Sequence, residues 1–379
     1  MSWEAAGWMH WPDHPEASAQ FVRTLGVAQE GAAAISECFL VASRIDPADP
    51  VSWHAAWMDR ARRTHEGAAR AQGSGQLQTA KAKWLRAAAY YRASEALLAP
   101  DDGRRPAVFS QMLACSQACL RLFSPIGEIL EIGLQDGSVV DAYLVKPAGA
   151  GPWPCVICVG GLDGNKDELL PRMSRAALAR GLALLLVDLP GQGVPLRVRG
   201  NPSRPDTEVP VSACVDYLAA RRDIDADRIA LYGASLGGVY AARAASAERR
   251  LKALVSDSLI FDLQAAFSRR LALQPTGDWA MLQWVFGCDS PQAVVDKSGE
   301  FRMAEFMANI ACPYLIVQGE HDFLGLQTAL DAYAFARAAG IDVELEVFTS
   351  EDTGASHCQA DNPTIGQELI ADWLQRKLS

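Results

Sequence analysis

The stretch Leu231–Tyr240, LYGASLGGVY, sets Ser235 between Gly233 and Gly237, after an apolar run and before a run of alanines. A Gly-x-Ser-x-Gly segment between a strand and a helix suits a nucleophile. The turn is so tight that larger side chains would collide, and the serine is forced into a strained, exposed position. A serine in a turn that merely needs small residues is the plainer alternative. The two differ in company, because a nucleophilic serine needs a base for its proton and an acid to orient that base, in chain order Ser, Asp or Glu, then His. After the apolar run YLIVQG, the segment EHDFLGL offers Asp322 as the acid; after VELEVFT, the segment SEDTGASHCQ offers His357 as the base. Glu320 and Asp352 are rival acids, and His321 reads as exposed. The other histidines, His10, His14, His54 and His65, fall in the helical first third.

Acyl-type chemistry also requires two backbone N–H groups aimed at the developing oxyanion, each worth about 3 kcal/mol. The residue after the serine, Leu236, supplies one, and Leu162 in ICVGGLDGNKDEL supplies the other. The glycines of that loop also suggest a phosphate-binding turn, but the required Ser or Thr after Lys166 is replaced by Asp167. DLPGQG at 188–193 lacks a dinucleotide fingerprint. Cys155 and Cys158 have the spacing of half a zinc site, yet in a strand they point to opposite faces, and no second pair accompanies them. No cofactor and no metal are expected.

These residues need a frame. Residues 13 to about 123 read as helices, with Leu77, Trp84, Leu85, Ala88, Tyr91 and Leu98 forming one apolar stripe. Asp49-Pro50 and APDDGRRP punctuate them. Beyond Ser124-Pro125, short β-type runs alternate with helices, the pattern of a mainly parallel sheet covered on both faces. Eight strands are expected, the first two a hairpin around Asp136-Gly137, with helices near 166–180, 206–222, 235–248, 325–339 and 363–377. Residues 258–311 exceed a plain connection and hold Phe261, Phe267, Trp279, Trp284 and Phe286, so they form a candidate lid. Those aromatics and the N-terminal tryptophans either wall an apolar pocket or are interdomain core. Two units follow: a helical domain over 1–124 and a catalytic domain over 125–379.

The chain has 379 residues, 50% of them hydrophobic, and no 18-residue uncharged apolar run, so a globular rather than membrane-spanning protein is expected. A net charge of −10 disfavours nucleic acid and anionic membranes. The start, MSWEAAGWMHWPDHPE, does not resemble a secretion signal, and a cytoplasmic location is expected.

With these residues in place, 125–379 resembles an α/β-hydrolase. The helical first third, GGLDGNK, DLPGQG, GASLGG, CPYLIVQGEHD and SHC with ADWL together resemble the 2,6-dihydroxypseudooxynicotine hydrolase family, related to fermentation-respiration-switch-type and fungal polyketide-shortening hydrolases. The resemblance implies an eight-stranded α/β-hydrolase fold with an N-terminal helical domain that covers the active site and helps form a homodimer, plus a lid between strands 6 and 7. It also implies Ser235, Asp322 and His357 as triad, Leu162 and Leu236 as oxyanion donors, and cleavage of a carbon-carbon bond beside a ketone. Asp262 is its candidate for an additional lid carboxylate. A carboxylesterase or thioesterase, an acyl-transferring cyclase and a non-catalytic binding protein on the same fold are the competing readings.

Overall fold

A computed structural model describes residues 9–379. The opening MSWEAAGW, with Trp3 and Trp8, lies outside the described residues. The first helices are α1 Pro15–Gly26, α2 Ile35–Ala42, α3 Pro50–Gly73, α4 Leu77–Glu95 and α5 Arg105–Leu120. Asp49 starts α3 because its carboxylate accepts from the Val51 and Ser52 amides at 2.8 and 3.1 Å, while Pro50 at the first position has no N–H to leave orphaned. Trp53, Trp57, Ala61, Ala68 and Ala71 then fall on one buried face, packed with Trp84, Ala88, Tyr90 and Tyr91 of α4 and Met112 of α5.

Two sequence expectations need correction. The helical run over 17–45 is interrupted from Val27 to Ala34, where Gly31 turns the chain at φ 77°. In the stripe of α4, Leu77 is exposed at the first turn and Leu98, though buried, lies beyond the helix end, so Trp84, Ala88 and Tyr91 are its buried members within the helix.

The remaining chain alternates strands and helices. The strands are β1 Glu128–Gly133, β2 Val139–Val145, β3 Trp153–Val159, β4 Ala183–Asp188, β5 Ile224–Ala234, β6 Ala253–Asp257, β7 Tyr314–Gly319 and β8 Val343–Phe348. Between them run α6 Lys166–Ala179, α7 Gly193–Arg197, α8 Glu208–Ala219 and α9 Leu236–Ala247. The insertion helices are α10 Leu263–Leu273, α11 Ala280–Phe286, α12 Pro291–Ser298 and α13 Met303–Phe306, followed by α14 Leu326–Ala338 and α15 Pro363–Lys377. Strand order is β1-β2-β4-β3-β5-β6-β7-β8. The opening hairpin is antiparallel and joins β4 antiparallel, whereas every pairing from β4 through β8 is parallel.

Strand alternation divides the core. Cys155, Ile157 and Val159 face α8, α9 and α14, while Val156 and Cys158 face α6 and α15. The two cysteines therefore sit on opposite faces as buried core residues. The insertion is anchored by Phe286 and Phe301, rings 5.5 Å apart, with Phe301 5.9 Å from Tyr240 of α9. The parallel order brings the carboxyl ends of β3, β5, β6, β7 and β8 to one edge, where loops of an open α/β sheet carry chemistry. No helix among the described residues is long and apolar enough to cross a membrane.

Trp57 is fully buried in the helical core. Trp57→Ala is expected to lower unfolding free energy by about 3–5 kcal/mol through the cavity it leaves, read from the urea midpoint at unchanged m-value.

Candidate active site

Strand β5 ends at Ala234, and Ser235 turns the chain into α9 with φ 57° and ψ −124°. Such a backbone costs a non-glycine residue of order 1–3 kcal/mol and needs support from its surroundings. The flanking glycines are part of that support. A Cβ on Gly233 would lie 2.0 Å from the Gly237 carbonyl oxygen, and one on Gly237 would lie 2.2 Å from the Gly160 carbonyl oxygen. The Ser235 amide donates to the Asp257 carbonyl at 2.7 Å, and the Gly238 amide donates to the Ser235 carbonyl at 2.8 Å.

His357 Nδ1 lies 2.9 Å from each Asp322 carboxylate oxygen, so its N–H donates to that carboxylate. The Leu324 amide, 2.9 Å away, also donates to Asp322, fixing the acid within its own turn. Burial, the largest single influence, would lower the His357 pKa, but the charge and hydrogen bond of Asp322, together with neighbouring Cys358, raise the imidazole well above its ordinary value. The Phe323 ring packs on the imidazole with centroids 4.3 Å apart. The rival acids are engaged elsewhere. Exposed Glu320 accepts from the Ser350 amide at 3.0 Å, and Asp352 accepts from Thr349 at 2.8 Å. His321 is exposed and bonds Ser350.

The loop after β3 reaches the serine. A Cβ on Gly161 would lie 3.0 Å from the Ser235 Cβ and 3.5 Å from its Oγ. Within the described residues the Leu162 amide makes no hydrogen bond, and Leu236 is the first residue of α9, where an N–H has no intrahelical acceptor. Both expected oxyanion donors therefore stand unspent around Ser235.

Several residues that hold this arrangement were not singled out from the sequence. Gln192 of DLPGQG donates through Nε2 to the Gly160 carbonyl and, at 3.0 Å, to the Gly161 carbonyl. Asp188 of the same motif accepts from the Lys166 amide at 2.6 Å, from Lys166 Nζ at 2.8 Å and from the Val194 amide at 3.0 Å, so GGLDGNK and DLPGQG brace each other. Asp163, beside Leu162, is gripped by Arg92 at 2.8 Å and Arg23 at 3.4 Å; the same two arginines hold Glu168, each at 2.8 Å. Burial would raise the Asp163 carboxyl, but Arg23, Arg92 and Arg197 hold it well below the usual range. At the end of β6, the Asp257 carboxylate accepts from Tyr232 at 2.9 Å and Gln359 at 3.0 Å, and Ser258 Oγ accepts from the Cys358 amide at 2.7 Å. Their residue types gave no cue, because each acts through partners distant in the chain.

The pocket candidates fare less uniformly. Asp262 is exposed, and its carboxylate caps α10 by accepting from the Ala265 amide at 2.8 Å, which accounts for an acid at that position. Trp279 is buried core of the insertion, edge-on to Phe267. Trp284 is half-buried beneath the guanidinium groups of Arg105 and Arg197, 5.4 and 5.5 Å from its ring, where insertion and helical layer meet. No cluster of three or more His, Cys, Asp or Glu fit to hold a metal occurs among the described residues.

Comparison with known proteins extends this picture. The Esterase FrsA-like family matches residues 50–275, and the Prolyl oligopeptidase family matches 199–379. Hydrolase LUC6 of Fusarium sp is 32% identical over 346 residues, covering 80% of this chain and 82% of that protein. The 20-hydroxy-prefusarin hydrolase FUS2 of Gibberella moniliformis is 30% identical over 350 residues, with 80% and 82% covered. The crystal structure of a 2,6-dihydroxy-pseudo-oxynicotine hydrolase superposes with a TM-score of 0.79 at 27% identity, over 93% of this chain and 95% of that one.

Gln192→Leu should expose how much the loop depends on its brace. It leaves the buried Gly160 carbonyl without its Gln192 donor, so a stability loss of about 1–3 kcal/mol is expected. Displacement of Leu162 should lower turnover of an activated ester by about tenfold or more. Urea unfolding and steady-state kinetics read the two effects separately.

Proposed function

This chain belongs to the FrsA-like family of α/β-hydrolases, and from that membership we propose that it is a serine hydrolase whose Ser235, His357 and Asp322 cleave a carbon-carbon bond beside a ketone. The observation that carries the reading is the paired hydrogen bond between His357 Nδ1 and the Asp322 carboxylate, on the sheet edge that also bears the strained Ser235. That bond leaves Nε2 as the lone-pair nitrogen that takes a proton.

In the proposed cycle His357 removes the Ser235 proton as Oγ attacks the ketone carbonyl, and the Leu162 and Leu236 amides hold the tetrahedral oxyanion. Collapse expels a carbanion, which is feasible when its charge delocalises, as in a β-diketone or a hydroxylated aromatic ketone. His357, now protonated, returns the proton to that carbon. Water, activated by the same imidazole, then hydrolyses the acyl-enzyme to a carboxylic acid. A raised imidazole pKa suits this sequence, since the proton must stay on the base until the carbanion leaves. The hydroxylated compounds in the names of the 20-hydroxy-prefusarin and 2,6-dihydroxy-pseudo-oxynicotine hydrolases support a hydroxylated small-molecule substrate. The fold itself serves ester and thioester cleavage equally well, and the substrate's leaving group separates the readings. A homodimer in which the helical layer takes part, and a cytoplasmic location, belong to the same proposal.

A β-diketone or hydroxylated aryl ketone should yield a carboxylic acid plus a carbon-protonated fragment, with little turnover of p-nitrophenyl esters; efficient ester turnover without ketone cleavage overturns the carbon-carbon reading. Asp322→Asn should lower kcat/KM about 10³–10⁴-fold. Removing the charge that raises the imidazole pKa, it should also shift the acid limb of the pH profile to lower pH, because the base then loses its proton more readily. An unmoved limb contradicts the pairing.

A further inference from the structure

Helix α4 presents opposite faces to two different tasks. Arg92 near its end reaches Asp163 beside the candidate active site, whereas Lys83, half a helical circumference away, and Arg86, about a third away, line a groove closed by α2 and α3. The groove has a volume of about 350 Å³ and is lined by five cations, Arg60, Arg63, Arg70, Lys83 and Arg86. Its carboxylates are Glu37 and Glu66. This is a concentration of positive charge in a chain of net charge −10.

The cations are unequally answered. Arg63 is satisfied by Asp59 at 2.9 Å, and Arg70 pairs with Glu66 at 3.8 Å, each one turn away along α3. Arg60 and Arg86 share Glu37, at 3.7 and 4.0 Å, beyond hydrogen-bond length, and Glu37 already accepts from the Tyr90 hydroxyl at 2.7 Å. Arg60 Nε is buried with no hydrogen-bond partner. The Lys83 ammonium has no carboxylate within ion-pair reach among the described residues and lies over Gly67, 3.2 Å from where a Cβ would stand. Arg60, Lys83 and Arg86 thus place donors from two helices around one recess, where Glu37 is the carboxylate that Arg60 and Arg86 share and Glu66 is paired with Arg70.

We propose that this groove binds a small phosphate-bearing polyanion. A tetrahedral phosphate offers oxygens in several directions to cations that approach from α3 and α4, whereas a planar carboxylate engages one fork. The volume falls in the range of small-molecule sites, which favours a small ligand over a protein surface. Binding here is independent of the serine chemistry.

Pyrophosphate is the probe, titrated calorimetrically into the whole protein at low ionic strength. It should bind, more weakly as salt screens the site. The double variant Lys83→Gln/Arg86→Gln should weaken binding about tenfold or more, while Gln in place of exposed Arg121 leaves it unchanged. Glu37→Gln should tighten it by removing the competing anion, a gain that loss of folding cannot mimic. Absence of binding at millimolar pyrophosphate overturns the proposal, as does binding indifferent to these substitutions. If the double variant instead alters the mass seen by light scattering while pyrophosphate stays unbound, the groove is a contact between copies and the proposal fails.

Discussion

The 2.7 Å hydrogen bond from the Ser235 amide to the Asp257 carbonyl ties a strained turn to the end of a neighbouring strand, and the site is organised from that point. Asp257 uses its carbonyl on the serine side and its carboxylate on Gln359, two residues beyond His357. Ser258, itself at φ 58°, anchors the Cys358 amide. One strand end therefore sets the spacing between the candidate nucleophile and the candidate base. Strain at Ser235, Ser258, Cys358 and Gln359, all at positive φ, is sustained because each is held by a neighbour rather than by its own preference. The buried Asp257 carboxyl is raised by desolvation, opposed by Arg172, Gln359 and Tyr232.

A second set of constraints comes from the helical layer. Arg23 of α1 and Arg92 of α4 cross to Asp163 and Glu168, so the loop bearing Leu162 is held from above by charge and from below by Gln192. Arg92 is buried and answered by both carboxylates, so the two ion pairs and the loop position support one another. The base loop is covered as well: Gly26, near the end of α1, passes so close to Ala360 that a Cβ would stand 2.4 Å from its carbonyl oxygen. The first helices thus bear directly on the geometry of the loops they cover.

Much of this was legible in the residues. The Gly-x-Ser-x-Gly turn is a local steric requirement, and the order of serine, acid and base follows from the strand sequence, so Ser235, Asp322 and His357 stand out without tertiary information. Asp322 and His357 are adjacent as that order requires, while the rivals Glu320 and Asp352 are exposed and engaged by Ser350 and Thr349. Asp188, Gln192 and Asp257 were illegible because a buried polar side chain declares itself only through partners far along the chain. Asp262, which the resemblance offers as a lid carboxylate, caps α10, a role that an acid just before a helix also signals. The break after α1 is barely marked in the sequence, because Val27–Ala34 carries no proline and Gly31 alone signals a turn.

The central claim is that Ser235 is the nucleophile of this site. Intact-mass analysis after treatment with a serine-directed fluorophosphonate tests it most directly. The account predicts one adduct per chain, mapped to Ser235 and absent from a Ser235→Ala protein that unfolds at the wild-type denaturant concentration. An unlabelled wild type, or equal labelling of the variant, would contradict it.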